Sequence, residues 1–360
     1  MLIPPKDLDH VEKNFSVIRR VLPLPGNIPS FMDAPIATKK EHLEGADIVV
    51  LGFPWEGLIE EKHLGVCRYH ASIPPEAYED PHSVDYVFGA DKAPEAIRKN
   101  SWNYGLNRVA SDIAPGFCIG DHVNIIDYCD VRTVRGDVEE TFRNAEEKLN
   151  HILEAGAVPI VLGGDHAIAY PPLKVVAEHT QGKLGIVHFD CHYDLDPNVK
   201  YDAAWQFLGA FESDNISPEN MASVGISTGN DRTWYEMAKE LGVSSFTISD
   251  IQDHGIETVM KEAIDVAANG TEAIYISLDI DVIDPAFCPG QKYPEPGGMT
   301  SREIVKALRM IGEHKIAGFD LCCFSPLYDN PNGLGAQLAA RCAVTVMSMI
   351  ALKKDAWGND

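Results

Sequence analysis

Residues 158–194 read VPIVLGGDHAIAYPPLKVVAEHTQGKLGIVHFDCHYD. Val158–Leu162 and Leu184–Phe189 are short apolar runs of strand length, and residues 166–179 between them read as a helix. Strand, helix and strand in that order make a βαβ unit with parallel strands. Both strands run straight into polar residues, Gly163-Gly164-Asp165-His166 after the first and Asp190-Cys191-His192-Tyr193-Asp194 after the second.

The pattern recurs further along. Ala273–Leu278 is a third apolar run, and it ends in Asp279-Ile280-Asp281-Val282-Ile283-Asp284-Pro285. Strand side chains alternate with period two, so Asp190, His192 and Asp194 are expected on one side, as are Asp279 and Asp281. Cys191 is expected on the opposite side, in the core. Other strands are read at 48–52, 221–226, 245–248 and 315–320, and helices at 93–99, 137–155, 231–241, 256–268, 300–312 and 333–353. This alternation predicts an α/β fold of three layers, α/β/α, with a mostly parallel sheet covered on both faces. Residues 1–45, rich in proline and charge, are expected to wrap the surface as an arm. Residues 55–93, long and polar, read as a lid or an oligomer contact. No repeat or linker divides the chain, so residues 1–360 are read as a single domain.

Hydrophobic residues make up 45% of the chain, enough for a large core. A formal net charge of −24 argues against nucleic acid as a partner, because phosphate binding needs clustered Lys and Arg. The same acidity suits a small cationic substrate, although solubility alone accounts for many acidic chains. The eight cysteines form no CxxC pair and several sit in apolar runs, which fits a reducing, cytoplasmic setting better than a disulfide scaffold. No apolar leader and no uninterrupted apolar run long enough for a membrane span is read.

His166, Asp190, His192, Asp194, Asp279 and Asp281 carry the chemistry. Singly, each has a plain reading: Asp165 or Asp284 as a cap, His166 as a satisfied surface histidine. Together, beyond the carboxyl ends of three strands, they occupy the place where open α/β sheets carry function. Burying that many carboxylates without cations is costly, so the reading is two divalent ions per chain. Mixed imidazole and carboxylate ligation favours manganese, nickel, cobalt, zinc or iron. Two such ions hold a hydroxide nucleophile at neutral pH, and hydrolysis is its natural use.

With these motifs in place, the chain resembles the arginase–agmatinase (ureohydrolase) family. The resemblance runs from about residue 48 onward, through GADKAPEAIR at 89–98, GGDH at 163–166, DCHYD at 190–194, SLDIDVIDPA at 277–286, PEPGG at 294–298, GFD at 318–320 and Ser325-Pro326. It implies an arginase-like fold, a pair of manganese or nickel ions, and hydrolysis of a guanidino C–N bond. His166 would serve one ion and His192 the other, with Asp190, Asp194, Asp279 and Asp281 bridging or completing the shells. Asp194 and His192 are the implied catalytic residues, Asp194 managing the proton of the attacking hydroxide. The resemblance also implies a trimer or hexamer, of one chain or of two related ones.

Two departures bear on the substrate. The family's histidine in the loop after DxHxD has no counterpart, since Leu195–Glu212 contains no histidine. The family glutamate that pairs with the guanidinium falls at Cys323, and a thiol cannot form a bidentate carboxylate–guanidinium fork. Substitutes are sought in His63, His70, His82, Glu76 and Glu79 of the 55–93 segment, with Tyr193, Trp205 and Phe207 as an apolar or cation–π wall. The expected substrate is therefore atypical: guanidine, an alkylguanidine, or a biguanide such as metformin, the substrates of a family branch that often uses nickel. An agmatinase or guanidinobutyrase is the alternative, and a non-catalytic subunit of a hetero-oligomer the second. The deacetylase group, which shares a related architecture, is set aside because the DxHxD and DxD spacing is that of the ureohydrolases.

Overall fold

The computed structural model describes residues 29–57 and 89–354. Eight strands are found there: β1 (Ile48–Phe53), β2 (Ile125–Asp130), β3 (Val158–Gly163), β4 (Leu184–Phe189), β5 (Ile216–Ile226), β6 (Ser244–Thr247), β7 (Ala273–Asp279) and β8 (Ile316–Cys322). They form one sheet in the order β2-β1-β3-β8-β7-β4-β5-β6, and every neighbouring pair is parallel. The strand ends that carry the polar motifs therefore lie along one edge.

Both faces are covered, and period-two alternation assigns side chains to them. Ile274, Ile276 and Leu278 of β7 pack into the core shared with α1 (Ala93–Asn100), α6 (Ile248–His254), α7 (Ile256–Ala267), α8 (Ser301–Ile311) and α9 (Leu334–Lys353). Ala273 and Tyr275 of the same strand face the opposite layer. That layer holds α2 (Val138–Glu154), α3 (Tyr170–His179), the short α4 (Gln206–Ala210) and α5 (Arg232–Leu241). The three-layer parallel architecture is the one the sequence predicts. Helix α9 is long and apolar enough to cross a membrane by composition, but 83% of its most apolar window is buried against the rest of this chain, so it is a core helix.

Three of the differences from the sequence expectation have a clear physical cause. Edge strand β2 contains Asp127 and Asp130, which weaken its apolar signature; a buried guanidinium compensates. Arg98, fully buried, donates to Asp127 Oδ2 and Oδ1 at 2.8 and 2.9 Å and to Asp130 Oδ1 at 2.6 Å. Gly52 makes room for this crossing, since a Cβ there would lie 1.9 Å from Asp130 Oδ1.

The described part of the expected surface arm is anchored in the core by a few of its residues, while residues 38–42 stay exposed. Phe31, Met32, Ala34 and Ala37 are buried, the Phe31 N–H donates to Asp127 Oδ2 at 2.8 Å, and Ile36 bridges to Asp127. An apolar pair of side chains with a buried acceptor waiting for its backbone outweighs the proline and charge around it. Helix α6, also unread in the sequence, starts on a capping box in which Thr247 and Asp250 satisfy each other's backbone N–H groups.

Candidate metal centre

A polar row crosses the middle of an otherwise apolar sheet. Asp320 of β8, Ser277 of β7, His188 of β4 and Ser223 of β5 stand in register on adjacent strands. All four are fully buried. Ser277 Oγ donates to Asp320 Oδ1 at 2.9 Å and lies 3.0 Å from His166 Nε2. A hydroxyl has one proton, so with Asp320 receiving it, Ser277 accepts from His166 Nε2–H, which leaves Nδ1 as the ring nitrogen that faces the carboxylates. His188 Nε2 reaches Asp190 Oδ2 at 2.9 Å while its Nδ1 faces Ser223 Oγ at 3.2 Å.

The six sequence-predicted donors converge just above this row, all at least nine-tenths buried. His166 sits on the turn after β3, where Asp165 caps the chain by accepting from the Ala167 N–H at 3.1 Å. Gly164 is required for this turn, because a Cβ there would overlap the Trp55 carbonyl oxygen at 1.6 Å. His166 Nδ1 lies 2.7 Å from Asp194 Oδ2, 3.1 Å from Asp190 Oδ2 and 3.3 Å from Asp279 Oδ2. None of the three is aligned for a hydrogen bond, so Nδ1 is a buried nitrogen without a hydrogen-bond partner, aimed among carboxylates. His192 Nδ1 lies 3.2 Å from Asp190 Oδ1 and 3.3 Å from Asp281 Oδ2. Asp279 and Asp190 each accept a backbone N–H two residues on, at 2.9 and 2.6 Å, which fixes the tight turns.

Burial and mutual repulsion pull these groups apart electrostatically. Burial first, then the charges of Asp279 and Asp190, pushes the Asp281 carboxyl up to about 7. Burial and Asp190 raise Asp279 as well. Asp190 is held well below the usual carboxylate range, because His166, His188 and His192 together outweigh its burial. His166 is held well above the usual imidazole range, its burial outweighed by Asp190, Asp194 and Asp279. Carboxylates crowded this closely call for a compensating cation.

The donor set fits divalent metal on two grounds: the partnerless Nδ1 of His166, and its Nε2 held by Ser277 in the manner of a ligating histidine. Among the described residues, three groups of donors have their ligand atoms within 4.8 Å of one another: His166 with His188, Asp190 and Asp194; Asp190 with Cys191, His192 and Asp281; and His166 with Asp279 and Cys322.

One sequence expectation is overturned inside the cluster. Cys191 does not turn into the core; its Sγ lies 3.2 Å from Asp281 Oδ1 and 3.4 Å from His192 Nδ1. Strand β4 ends at Phe189. Beyond it the chain curls, and Asp194 has a φ of 52°, so period-two alternation no longer decides direction. Asp284 accepts from Ala286 and Gly297 N–H groups, a turn-building role.

The expected substrate residues divide. Cys323 is buried at the site, with a φ of 59° and its N–H donating to Gly164 O at 2.7 Å. Tyr193 turns away, to Ser245 and the ring of Tyr235, because its N–H is tied to Asn230 Oδ1. Trp205 packs with Tyr170 and Tyr201 at 5.1 and 5.2 Å, in an aromatic cluster beside the site. Phe207 forms the apolar floor, 5.6 Å from the His166 ring and 4.5 Å from His188. His63, His70, Glu76, Glu79 and His82 lie outside the described residues. Residues unassigned from sequence are His188, Ser277, Asp320 and Gln206, whose Nε2 donates to Asp194 Oδ2 at 2.7 Å. His188 and Ser277 sit at positions of the same strand parity as the donors that end their strands, a signal available from spacing.

Comparison with known proteins agrees with this geometry. The arginase family model matches residues 78–349. Proclavaminate amidinohydrolase of Streptomyces clavuligerus is 31% identical over 92% of this chain and 96% of its own length. An agmatinase of Escherichia coli O7:K1 is 30% identical over 74% and 83%. Among solved structures, the Streptomyces clavuligerus amidinohydrolase superposes with a TM-score of 0.74 at 29% identity, covering 90% of this chain and 97% of that one. A hypothetical agmatinase from Burkholderia thailandensis gives 0.74 at 26% identity, covering 92% and 93%. The chain belongs to the arginase family, hydrolases of amidino C–N bonds.

Proposed function

We propose that this chain hydrolyses a C–N bond of a small cationic guanidino compound at a centre of two divalent ions, manganese or nickel. The observation that carries the reading is His166 Nδ1, buried without a hydrogen-bond partner among Asp190, Asp194 and Asp279. His166 would serve one ion and His192 the other, with Asp190, Asp194, Asp279 and Asp281 shared between them. Ions bound there supply a hydroxide at neutral pH.

The chain's own residues do the rest. Four carboxylates against two imidazoles make a negative pocket that draws in a guanidinium and favours positive charge at its nitrogens. Asp194 Oδ2, held by Gln206 Nε2, is the carboxylate placed to take a proton from the added water and pass it to the departing nitrogen. The balance is one water added across one C–N bond, giving an amine and a urea-type product. Phe207 closes the floor against water.

Cys323 supports an atypical substrate. A thiol beside Asp279 offers no bidentate fork, so the pocket suits guanidine, an alkylguanidine or a biguanide such as metformin better than a long guanidino amino acid. The agmatinases among the relatives favour a second reading, in which agmatine or guanidinobutyrate is cleaved to urea. The test is a panel of guanidine, methylguanidines, biguanides, guanidinobutyrate, agmatine and arginine, run with nickel and with manganese. Ammonia, urea and amine are measured separately. Release of amine or ammonia from the small compounds supports the first reading, urea from agmatine the second, and no turnover of any compound contradicts both.

A further inference from the structure

We propose that Asp190, Cys191, His192 and Asp281 form a second, thiol-containing mode of metal binding, selective for a soft divalent cation that recruits Cys191 Sγ as its fourth ligand. The inference shares its donors with the proposed hydrolytic centre, but it concerns which ion the site captures.

Each of the four residues brings one donor atom to a common place. The four donor atoms lie within 4.8 Å of one another. Cys191 Sγ is 3.2 Å from Asp281 Oδ1 and 3.4 Å from His192 Nδ1. His192 Nδ1 is 3.2 Å from Asp190 Oδ1 and 3.3 Å from Asp281 Oδ2. An ion with bonds of about 2.0–2.3 Å to nitrogen, oxygen and sulfur sets tetrahedral ligand spacings of about 3.3–3.6 Å. The sulfur–imidazole and imidazole–carboxylate separations of 3.4 and 3.2 Å are close to those spacings. Cys322 offers a poorer set, with three donors, its Sγ 3.7 Å from Asp279 Oδ2 and also directed at Leu278 O.

Ion hardness decides which mode is used. Manganese takes the imidazoles and carboxylates and leaves the thiol protonated; a thiophilic ion displaces the thiol proton to solvent and binds the sulfur. A shell of sulfur, nitrogen and two oxygens is closed, as in structural sites, and leaves no position for a reacting water. Soft-ion capture through Cys191 is thus a dead-end state of this centre.

The probe is cadmium. Metal-free chain is titrated with cadmium while the ultraviolet sulfur-to-metal charge-transfer band is followed. The wild type should develop the band, Cys322→Ser should retain it, and Cys191→Ser should lose at least half of it, with cadmium affinity falling roughly tenfold or more. Manganese uptake by Cys191→Ser, read by electron paramagnetic resonance, reports that the variant is folded. Should that variant not fold, X-ray absorption at the cadmium edge of the wild type decides, with sulfur in the shell expected. No band in the wild type, a full band in Cys191→Ser, or an all-nitrogen-and-oxygen shell overturns the inference. Guanidino hydrolysis by the manganese form without a cadmium–sulfur band overturns this inference alone. A band in a chain that turns over no guanidino compound overturns the proposed function alone.

Discussion

His166 and Asp320 are joined through a single hydroxyl: Ser277 Oγ lies 3.0 Å from His166 Nε2 and donates to Asp320 Oδ1 at 2.9 Å. Three elements meet in this relay, the turn after β3 and the strands β7 and β8. It fixes both the tautomer and the tilt of the ring, so that Nδ1 faces the carboxylates.

Ser277→Ala should therefore weaken binding of the metal rather than unfold the chain. Losing the outer partner of a ligating histidine lowers affinity by roughly 10–100-fold. Manganese titration of Ser277→Ala and wild type checks this; equal affinities would show that the relay does not position His166.

Arg98 makes a different prediction. It is fully buried, and its removal strands Asp127 as an uncompensated buried charge. Breaking such a pair costs about 3–5 kcal/mol. Arg98→Ala should lose about that much in urea unfolding, and a loss under about 1 kcal/mol would contradict the assignment.

How much of this was legible beforehand follows from what each residue's neighbours contribute. The donors could be found because strands end where apolar runs end, and six ligand-type residues after three such runs have few other uses. Cys191 could not be placed, because its direction depends on where β4 stops pairing, which period two does not encode. Strand β2 was hidden because its acidic residues are satisfied by Arg98, about 30 residues earlier. The burial of Phe31 depends on the same distant acceptor, Asp127. Ser277 and Asp320 lay inside quoted motifs, but their pairing with His166 is a matter of strand order, β3 beside β8 beside β7. Helix α6 was readable in principle, since Thr247 and Asp250 have capping-box spacing.

Glu56 gives a pH dependence that needs no metal. Burial pushes its carboxyl up from 4.5 to about 7 against the pull of Lys292, while Oε2 accepts from the Gly89 and Ala90 N–H groups. The folded chain keeps this proton to a higher pH than the unfolded chain does. Stability from this group is therefore full below about pH 4.5 and falls as pH rises through about 7, by about 3 kcal/mol in all. Glu56→Gln retains an acceptor for those N–H groups and does not titrate. Its urea midpoint should change less between about pH 5 and pH 8 than that of the wild type. Parallel pH profiles would contradict this.

Gly164→Ala tests the turn that presents His166. A Cβ there meets a backbone carbonyl, Trp55 O at 1.6 Å, which cannot swing aside like a side-chain end. The variant should lose about 3 kcal/mol or more, together with metal binding. An unchanged melting temperature would show that the turn has room it is not credited with.

The central claim is a pair of divalent ions between His166 and His192. It is tested most directly by counting ions on the purified full-length chain after loading with manganese and removal of excess metal. Two ions per chain in the wild type, falling to one or none in Asp190→Asn, is the predicted result. One ion or none in a folded wild-type chain, loaded with manganese or with nickel, would contradict the account.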